Sequence, residues 1–214
     1  MRAGAPYPAG VDEHYFTANP SAPDRRFPLP VRLAGRDLEL VSSSAVFSGH
    51  GLDKATAVLL DRLDEVAEPP EGGTLVDLGC GWGPIALTAA LLHPGVEVWA
   101  VDVSERAREL TAENARRAGV ENLRVLAPEE IPGDLAVDTL WSNPPIRIGK
   151  PALHELLREW TARLRPTGTA ALVVGKNLGA DPLARWLGEL LPTREVGKAA
   201  SAKGFRVLEI GPES

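Results

Sequence analysis

The sequence has a single cysteine, Cys80, so no intrachain disulfide can form, and its four histidines (His14, His50, His93, His154) are too dispersed to suggest a metal site. No metal is expected. No apolar run approaches the roughly 18 residues needed to cross a bilayer, and the opening stretch "MRAGAPYPAG" lacks the apolar segment of a secretory signal. The chain is therefore expected in the cytoplasm, with no membrane partner. Excess positive charge is also missing: 23 basic against 29 acidic side chains give a net charge of −6. That balance disfavours a protein that holds nucleic acid by electrostatics alone, but it leaves room for an enzyme that works through a local basic patch.

What is present suffices for one substantial core, since 44% of the 214 residues are hydrophobic. Residues 1–30 hold six prolines and read as an arm laid on a domain. "FPLPVRLAGRDLELVSSSAVF" alternates around Ala34-Gly35-Arg36 and predicts a β-hairpin. Arm and hairpin together account for residues 1–51, packed on a main domain of residues 52–214. In "GLDKATAVLLDRLDEV", Leu52, Ala55, Leu59, Leu63 and Val66 recur at helical spacing and predict one amphipathic helix. From Thr74 onward short apolar runs alternate with helical stretches, which implies βαβ crossovers and an α/β fold with a mainly parallel sheet. "REVGKAA" and "FRVLEI" lie too close for a helix between them, so the sheet should end in an antiparallel pair.

The stretch "LVDLGCGWGPIAL" sets Asp77, Gly79, Gly81 and Gly83 where an apolar strand turns into a helix, a turn that lets a ligand approach the backbone. The spacing is G-x-G-x-G and not the G-x-G-x-x-G of a dinucleotide site. A carboxylate two residues before the first glycine would repel a pyrophosphate but could accept hydrogen bonds from an ammonium group, directly or through water. This points to S-adenosylmethionine and away from NAD. Asp102 ends the next strand, "VEVWAVD", where it either accepts the hydroxyls of a ribose or caps the helix that begins near Ser104. Beyond "LRVL", Glu129 or Glu130 either accepts an adenine amino group or belongs to a solvated loop. Cys80 reads as a small residue and not a nucleophile, because no histidine lies near it in sequence.

"WSNPPIRIGK" ends the fourth parallel strand on Asn143, at the border of the ligand crevice of an open α/β sheet. Pro144 and Pro145 donate no backbone N–H and stiffen the turn. The side-chain carbonyl of Asn143 and the backbone carbonyl of Pro144 could together accept both hydrogens of a planar NH2 group. Holding the amine in this way aligns its nitrogen for attack, and such positioning is worth on the order of 7–11 kcal/mol. The plainer alternative is a proline turn that only stops a strand.

"VDLGCGWGPIAL", "VDV", "SNPPIRIGK" and the N-terminal "HYFTANP" together resemble the class I S-adenosylmethionine-dependent methyltransferases of the small-domain type. The best-described members of that group are the 16S ribosomal RNA guanine-N2 methyltransferases. The resemblance runs from about His14 to Arg206 and implies a Rossmann-like seven-stranded sheet, mostly parallel with an antiparallel last strand, and helices on both faces. It implies catalytic roles for Asn143, Pro144, Pro145 and Ile146. It implies cofactor contacts at Thr56, Asp77, Gly79, Cys80, Gly81, Gly83, Asp102, Val103, Glu129 and Asn143. Substrate contacts fall to Phe16, Phe47, Arg147 and Lys150.

Two departures from the family pattern stand out. "VFSGHGLDKAT" has Ala55 where the family usually has glycine, leaving Asp53 and Thr56 available near the cofactor. Ile146 stands where amine methyltransferases of this group often place an aromatic ring to stack on a base, so Phe16, Tyr15 or Phe47 would have to supply it. Arg147 and Lys150, with Lys203 to Arg206 before the final strand, would form a basic rim for phosphates.

The resemblance implies methyl transfer to guanine N2 of 16S ribosomal RNA, with the RNA or the small ribosomal subunit as partner and a monomer or homodimer as the working form. Adenine-N6 methylation of nucleic acid, protein glutamine methylation, and a non-catalytic module that only binds S-adenosylmethionine are the alternatives.

Overall fold

The computed structural model describes residues 25–44, 46 and 51–214; Tyr15, Phe16 and Phe47 lie outside them. Strands β1 (Arg26–Leu33) and β2 (Arg36–Ser43) form the expected hairpin. Its two-residue loop has both Ala34 and Gly35 at positive φ, 49° and 74°. That is the turn geometry whose twist matches a two-residue hairpin. Pro28 and Pro30 are spaced two apart on β1, so both missing N–H groups fall on the same edge.

The other strands are β3 (Thr74–Leu78), β4 (Glu97–Val101), β5 (Leu123–Leu126), β6 (Val137–Ser142), β7 (Leu164–Gly175), β8 (Arg194–Ala202) and β9 (Phe205–Glu213). They make one seven-stranded sheet in the order β5-β4-β3-β6-β7-β9-β8. The pairings from β5 to β7 are parallel, and β9 runs antiparallel to both its neighbours, as the sequence predicts. The helices are α1 (Lys54–Leu60), α2 (Pro84–Leu92), α3 (Glu105–Ala118), α4 (Lys150–Thr161) and α5 (Ala180–Leu190).

Alternation along the strands divides the core. Val76, Leu78, Trp99, Val101 and Leu140 pack with Leu153, Leu157 and Trp160 of α4 and Leu183 and Leu187 of α5. Leu75, Val98, Ala100 and Val173 point the other way, against α1 and α2. A third cluster joins Leu29, Leu33 and Leu40 of the hairpin to Trp82, Leu87 and Leu110, so the hairpin rests on α2 and α3. The order of the sheet reverses between β3 and β6, and the crevice at the carboxyl ends of those two strands is where such sheets bind ligands.

The helix predicted through Leu52, Ala55, Leu59, Leu63 and Val66 is shorter than the spacing implies. α1 stops at Leu60, and a separate 3₁₀ turn covers Leu63–Glu65. Asp61 and Asp64 follow directly on the negative end of the helix dipole, and the last turn of α1 holds no basic residue. Leu63 and Val66 still reach the α1 and α2 side of the core.

β7 begins earlier than "TAALVVG", at Leu164, and its register against β6 shifts between Val137 and Thr139. The buried Arg194 of β8 holds this irregular stretch. Its guanidinium donates to the carbonyls of Gly168 (2.7 Å), Arg165 (2.7 Å), Gly211 (3.1 Å) and Leu164 (3.4 Å), and pairs with Glu213. Arg194→Met is expected to cost about 2–3 kcal/mol, because it leaves buried carbonyls without donors. The midpoint of urea unfolding measures this, and a wild-type midpoint would refute the clamp.

Candidate functional site

At the end of β3 the chain must turn sharply to begin α2. Gly79, Gly81 and Gly83 all take left-handed φ, 80°, 60° and 96°. A Cβ built on Gly79 or Gly81 would meet nothing within 4 Å, so the loop faces open space on that side, whereas one on Gly83 would lie 3.0 Å from the methyl of Thr111. The loop is held from below. The Gly79 and Cys80 N–H groups donate to Val101 O at 2.8 and 3.1 Å, and the Thr111 hydroxyl donates to Gly81 O at 3.0 Å.

Asn114 of α3, fully buried, ties the loop to the hairpin. Its Oδ1 accepts from Val41 N (2.8 Å), and its Nδ2 donates to Val41 O (2.9 Å) and Trp82 O (2.8 Å). The amide completes the free edge of β2 as a neighbouring strand would.

Asp77 is fully buried, with Oδ2 accepting from Ala86 N at 2.9 Å while Oδ1 has no partner. Burial drives its pKa up to about 8, the Ala86 N–H opposes the rise and the charge of Asp102 adds to it. Asp102 is not the cap of α3. Its Oδ2 accepts from Gly81 N (3.0 Å) and its Oδ1 from Ser104 N (2.8 Å), whereas the cap of α3 is Ser104, whose hydroxyl accepts from Ala107 N. Burial raises the Asp102 carboxyl above its ordinary range, and the two N–H donors pull the other way. Beside it, Val103 is exposed.

Glu130 closes its own turn by accepting from Ala127 N (2.7 Å), and Glu129 is exposed. Of the two, only Glu129 has its carboxylate uncommitted to the backbone of that loop. Cys80 is buried, and burial with the nearby charges of Asp102 and Asp77 pushes its thiol well above the ordinary value. A thiol held neutral in this way is a poor nucleophile.

Asn143 follows β6 directly. Its Nδ2 donates to Asp53 Oδ2 (3.0 Å) and Thr56 Oγ1 (3.1 Å), which bridges β6 to the start of α1. Ser142 beside it donates to Leu78 O (2.6 Å) and so locks the ends of β6 and β3 together. Pro144 O accepts from Ile146 N at 2.8 Å, with Pro145 at φ −74° and ψ 74°. This is an inverse γ-turn, so one of the two lone pairs of Pro144 O is already taken and one is left. Ile146 and Ile148 pack on the core, while Arg147 and Lys150 are exposed.

The basic rim expected at Lys203 to Arg206 does reach the carboxyl edge of the parallel strands, since Phe205 pairs with Gly175. Its charges are committed, however: Lys203 pairs with Asp61 and Arg206 with Asp181. Acidic side chains nearby neutralise what the local sequence shows as cationic.

Asp53, Thr56, Gly79, Cys80, Gly81, Trp82, Pro84, Ile85 and Asn143 line one cleft. The glycine loop and the Asn-Pro-Pro turn, separate in sequence, thus face each other across it. Trp82, Thr111 and Asn114 escaped the sequence reading. An asparagine in the middle of the amphipathic "TAENARRAG" was the available signal, since a polar side chain at a buried helix position has to find partners.

The family model described as methyltransferase small domain matches residues 37–209. The chain belongs to the methyltransferase small domain family. Among its relatives is the uncharacterized protein YbxB of Bacillus subtilis (strain 168), 30% identical over 202 residues, which are 93% of this chain and 98% of the relative. The ribosomal RNA small subunit methyltransferase C of Ectopseudomonas mendocina is 33% identical over 184 residues, 83% of this chain and 52% of the relative. The chain spans about half the length of the ribosomal RNA methyltransferases it matches. Among solved structures, the T. thermophilus 16S rRNA N2 methyltransferase in complex with AdoMet and guanosine superposes with a TM-score of 0.75 at 23% identity, over 91% of this chain and 52% of that one.

Proposed function

We propose that this protein transfers a methyl group from S-adenosylmethionine to the exocyclic N2 amine of a guanine in 16S ribosomal RNA. One observation carries the reading: both hydrogens of the Asn143 amide are consumed by Asp53 and Thr56, so the group turned to the cleft is an acceptor. The residues present fit the cofactor. The orphaned, buried Oδ1 of Asp77 suits an ammonium group or a water bound to one, and the open side of Gly79 and Gly81 leaves room for a ligand against the backbone.

When bound, the cofactor supplies an electrophilic methyl carbon on a sulfonium. Gly79, Cys80, Gly81 and Gly83 would form its floor, with Asp77 beneath. Asp102, Val103 and Glu129 would hold its nucleoside end, and Thr56 the opposite wall. Asn143 Oδ1 and the remaining lone pair of Pro144 O accept the two amine hydrogens and leave the nitrogen lone pair as the free valence. Pro145 stiffens the turn, and Ile146 offers the base an apolar contact. Arg147 and Lys150, both exposed, suit phosphate oxygens of an extruded nucleotide. Phe16 and Phe47 remain the candidates for a stacking ring.

The choice of guanine over adenine rests on the relatives named for ribosomal RNA methylation, and the partner would be that RNA or the small ribosomal subunit in the cytoplasm. Among the described residues no helix is long and apolar enough to cross a membrane, and no cluster of ligating side chains could hold a metal. Mass spectrometry of ribosomal RNA from a strain lacking the protein is expected to show one lost N2-methylguanine. A lost N6-methyladenine would transfer the assignment to adenine, and an unchanged inventory would sink it.

A further inference from the structure

The geometry points to Asp53 as a positioning residue that sets the polarity of Asn143 and through it the kind of group the cleft accepts. The inference rests on the role of Asn143 proposed above.

Asp53 lies 90 residues from Asn143 in sequence and immediately precedes α1. A single oxygen, Oδ2, accepts three hydrogens: from Ala55 N (2.8 Å), from Thr56 N (3.2 Å) and from Asn143 Nδ2 (3.0 Å). The first two cap α1, which fixes Asp53 to a helix anchored in the core by Ala55, Val58 and Leu59. The third fixes Asn143 to Asp53. Thr56, one turn into the same helix, takes the other hydrogen of that amide at 3.1 Å.

An asparagine amide can ordinarily turn over and exchange its donor and acceptor ends. Here it cannot. Asp53 Oδ2 already accepts from two backbone N–H groups, so the reversed rotamer would set Asn143 Oδ1 against it, acceptor against acceptor and partly shielded from water. Of the side-chain groups of Asn143, Oδ1 alone is left free. A ring nitrogen or carbonyl arriving in its place would meet another acceptor, whereas an NH2 group finds its complement. Selection of an amine is thus built into the junction of α1 and β6, away from the turn that touches the substrate.

Two substitutions separate capping from positioning. Asp53→Ser keeps a hydroxyl able to cap α1, since serine and aspartate are comparable caps, but it is too short to hold the Asn143 amide as well. Asp53→Asn keeps a carbonyl oxygen that can do both. The first readout needs no substrate: solvent exchange of the Asn143 side-chain amide in ¹⁵N-labelled protein, assigned by the resonance missing from Asn143→Ala. Protection is expected in wild type and Asp53→Asn, and at least about tenfold faster exchange in Asp53→Ser.

The second readout is transfer from radiolabelled S-adenosylmethionine to small-subunit ribosomal RNA from a strain lacking the protein. There kcat should fall on the order of 10- to 100-fold in Asp53→Ser with KM little changed, and recover in Asp53→Asn. Asp53→Ser should add no further loss in an Asn143→Ala background. An Asn143 amide equally protected in Asp53→Ser would overturn the proposal, and so would a kcat loss that simply adds to that of Asn143→Ala. Wild-type turnover by Asn143→Ala alone would instead overturn the role of Asn143, and the amide exchange would still decide what Asp53 does.

Discussion

Asn143→Ala is expected to lower kcat for methyl transfer by on the order of 10²–10³-fold, equivalent to ~3–4 kcal/mol of barrier, the usual cost of deleting one preorganised polar group at a reacting centre. Cofactor affinity, followed by calorimetry, should change by no more than about threefold. The asymmetry follows from where the side chain sits. Its amide hydrogens are spent on Asp53 and Thr56, and its carbonyl is the part left to a substrate. The glycine loop hangs from Val101 O and Asp102, on the far side of β3 from Asn143, so deleting the side chain removes none of its supports. Asp53 keeps its two N–H donors from α1 and so stays in place. Equal losses of turnover and cofactor binding would mean that the Asn-Pro-Pro turn is only a brace between β6 and α1.

The sequence carried the alternation of strands and helices, the antiparallel end of the sheet and the turn-forming character of the glycine loop, because these are governed by local rules. Short apolar runs between helical stretches mark the strands, and glycines at 79, 81 and 83 allow the positive φ that the turn after β3 takes. What it did not carry were relations across distance. Asn114 reads as an ordinary helical residue until its amide is seen to serve Val41 and Trp82 together. Lys203 and Arg206 read as a basic rim, because the acids that pair with them, Asp61 and Asp181, are supplied by other elements. Asp102 looked like a choice between cap and ribose ligand, since nothing local shows that the Gly81 N–H turns back to meet it. The carbonyl of Pro144 reads as an acceptor, but nothing local shows that the two prolines that stiffen the turn also bend it until Ile146 N donates back to that carbonyl. Hydrogen bonds between segments remote in sequence decide these details, and no periodicity encodes them.

Asp77 gives the second large effect, in stability. The carboxyl is fully buried, its Oδ1 has no donor, and its pKa stands at about 8 against an ordinary 3.8. Below pH ~4 the folded and unfolded states both hold the proton, and the group contributes nothing to the difference between them. As pH rises toward ~8 the unfolded chain releases the proton while the folded state retains it, so the unfolded state binds fewer protons and stability falls. Above pH ~8 both states are ionised and the loss is complete. About four pKa units at 1.36 kcal/mol each make that loss on the order of 5 kcal/mol for the ligand-free protein.

Asp77→Asn cannot ionise in either state. Its stability relative to wild type should therefore climb by about that amount between pH ~4 and ~8, whatever the fixed cost of the amide. Chemical unfolding of both proteins across this range measures the difference, and the shift of Glu113, whose causes do not include Asp77, cancels because that residue remains in the variant. A difference that stays level with pH would mean that Asp77 is ionised throughout. The same proton bears on the proposed cofactor. An ammonium group brought near Oδ1 favours the carboxylate, so binding should release a proton at neutral pH and tighten as pH rises toward ~8, and Asp77→Asn should abolish both effects. Calorimetry in buffers of different ionisation enthalpy reads that release directly. Its absence from wild type would place the ammonium group elsewhere and leave Asp77 as an anchor for α2 through Ala86 alone.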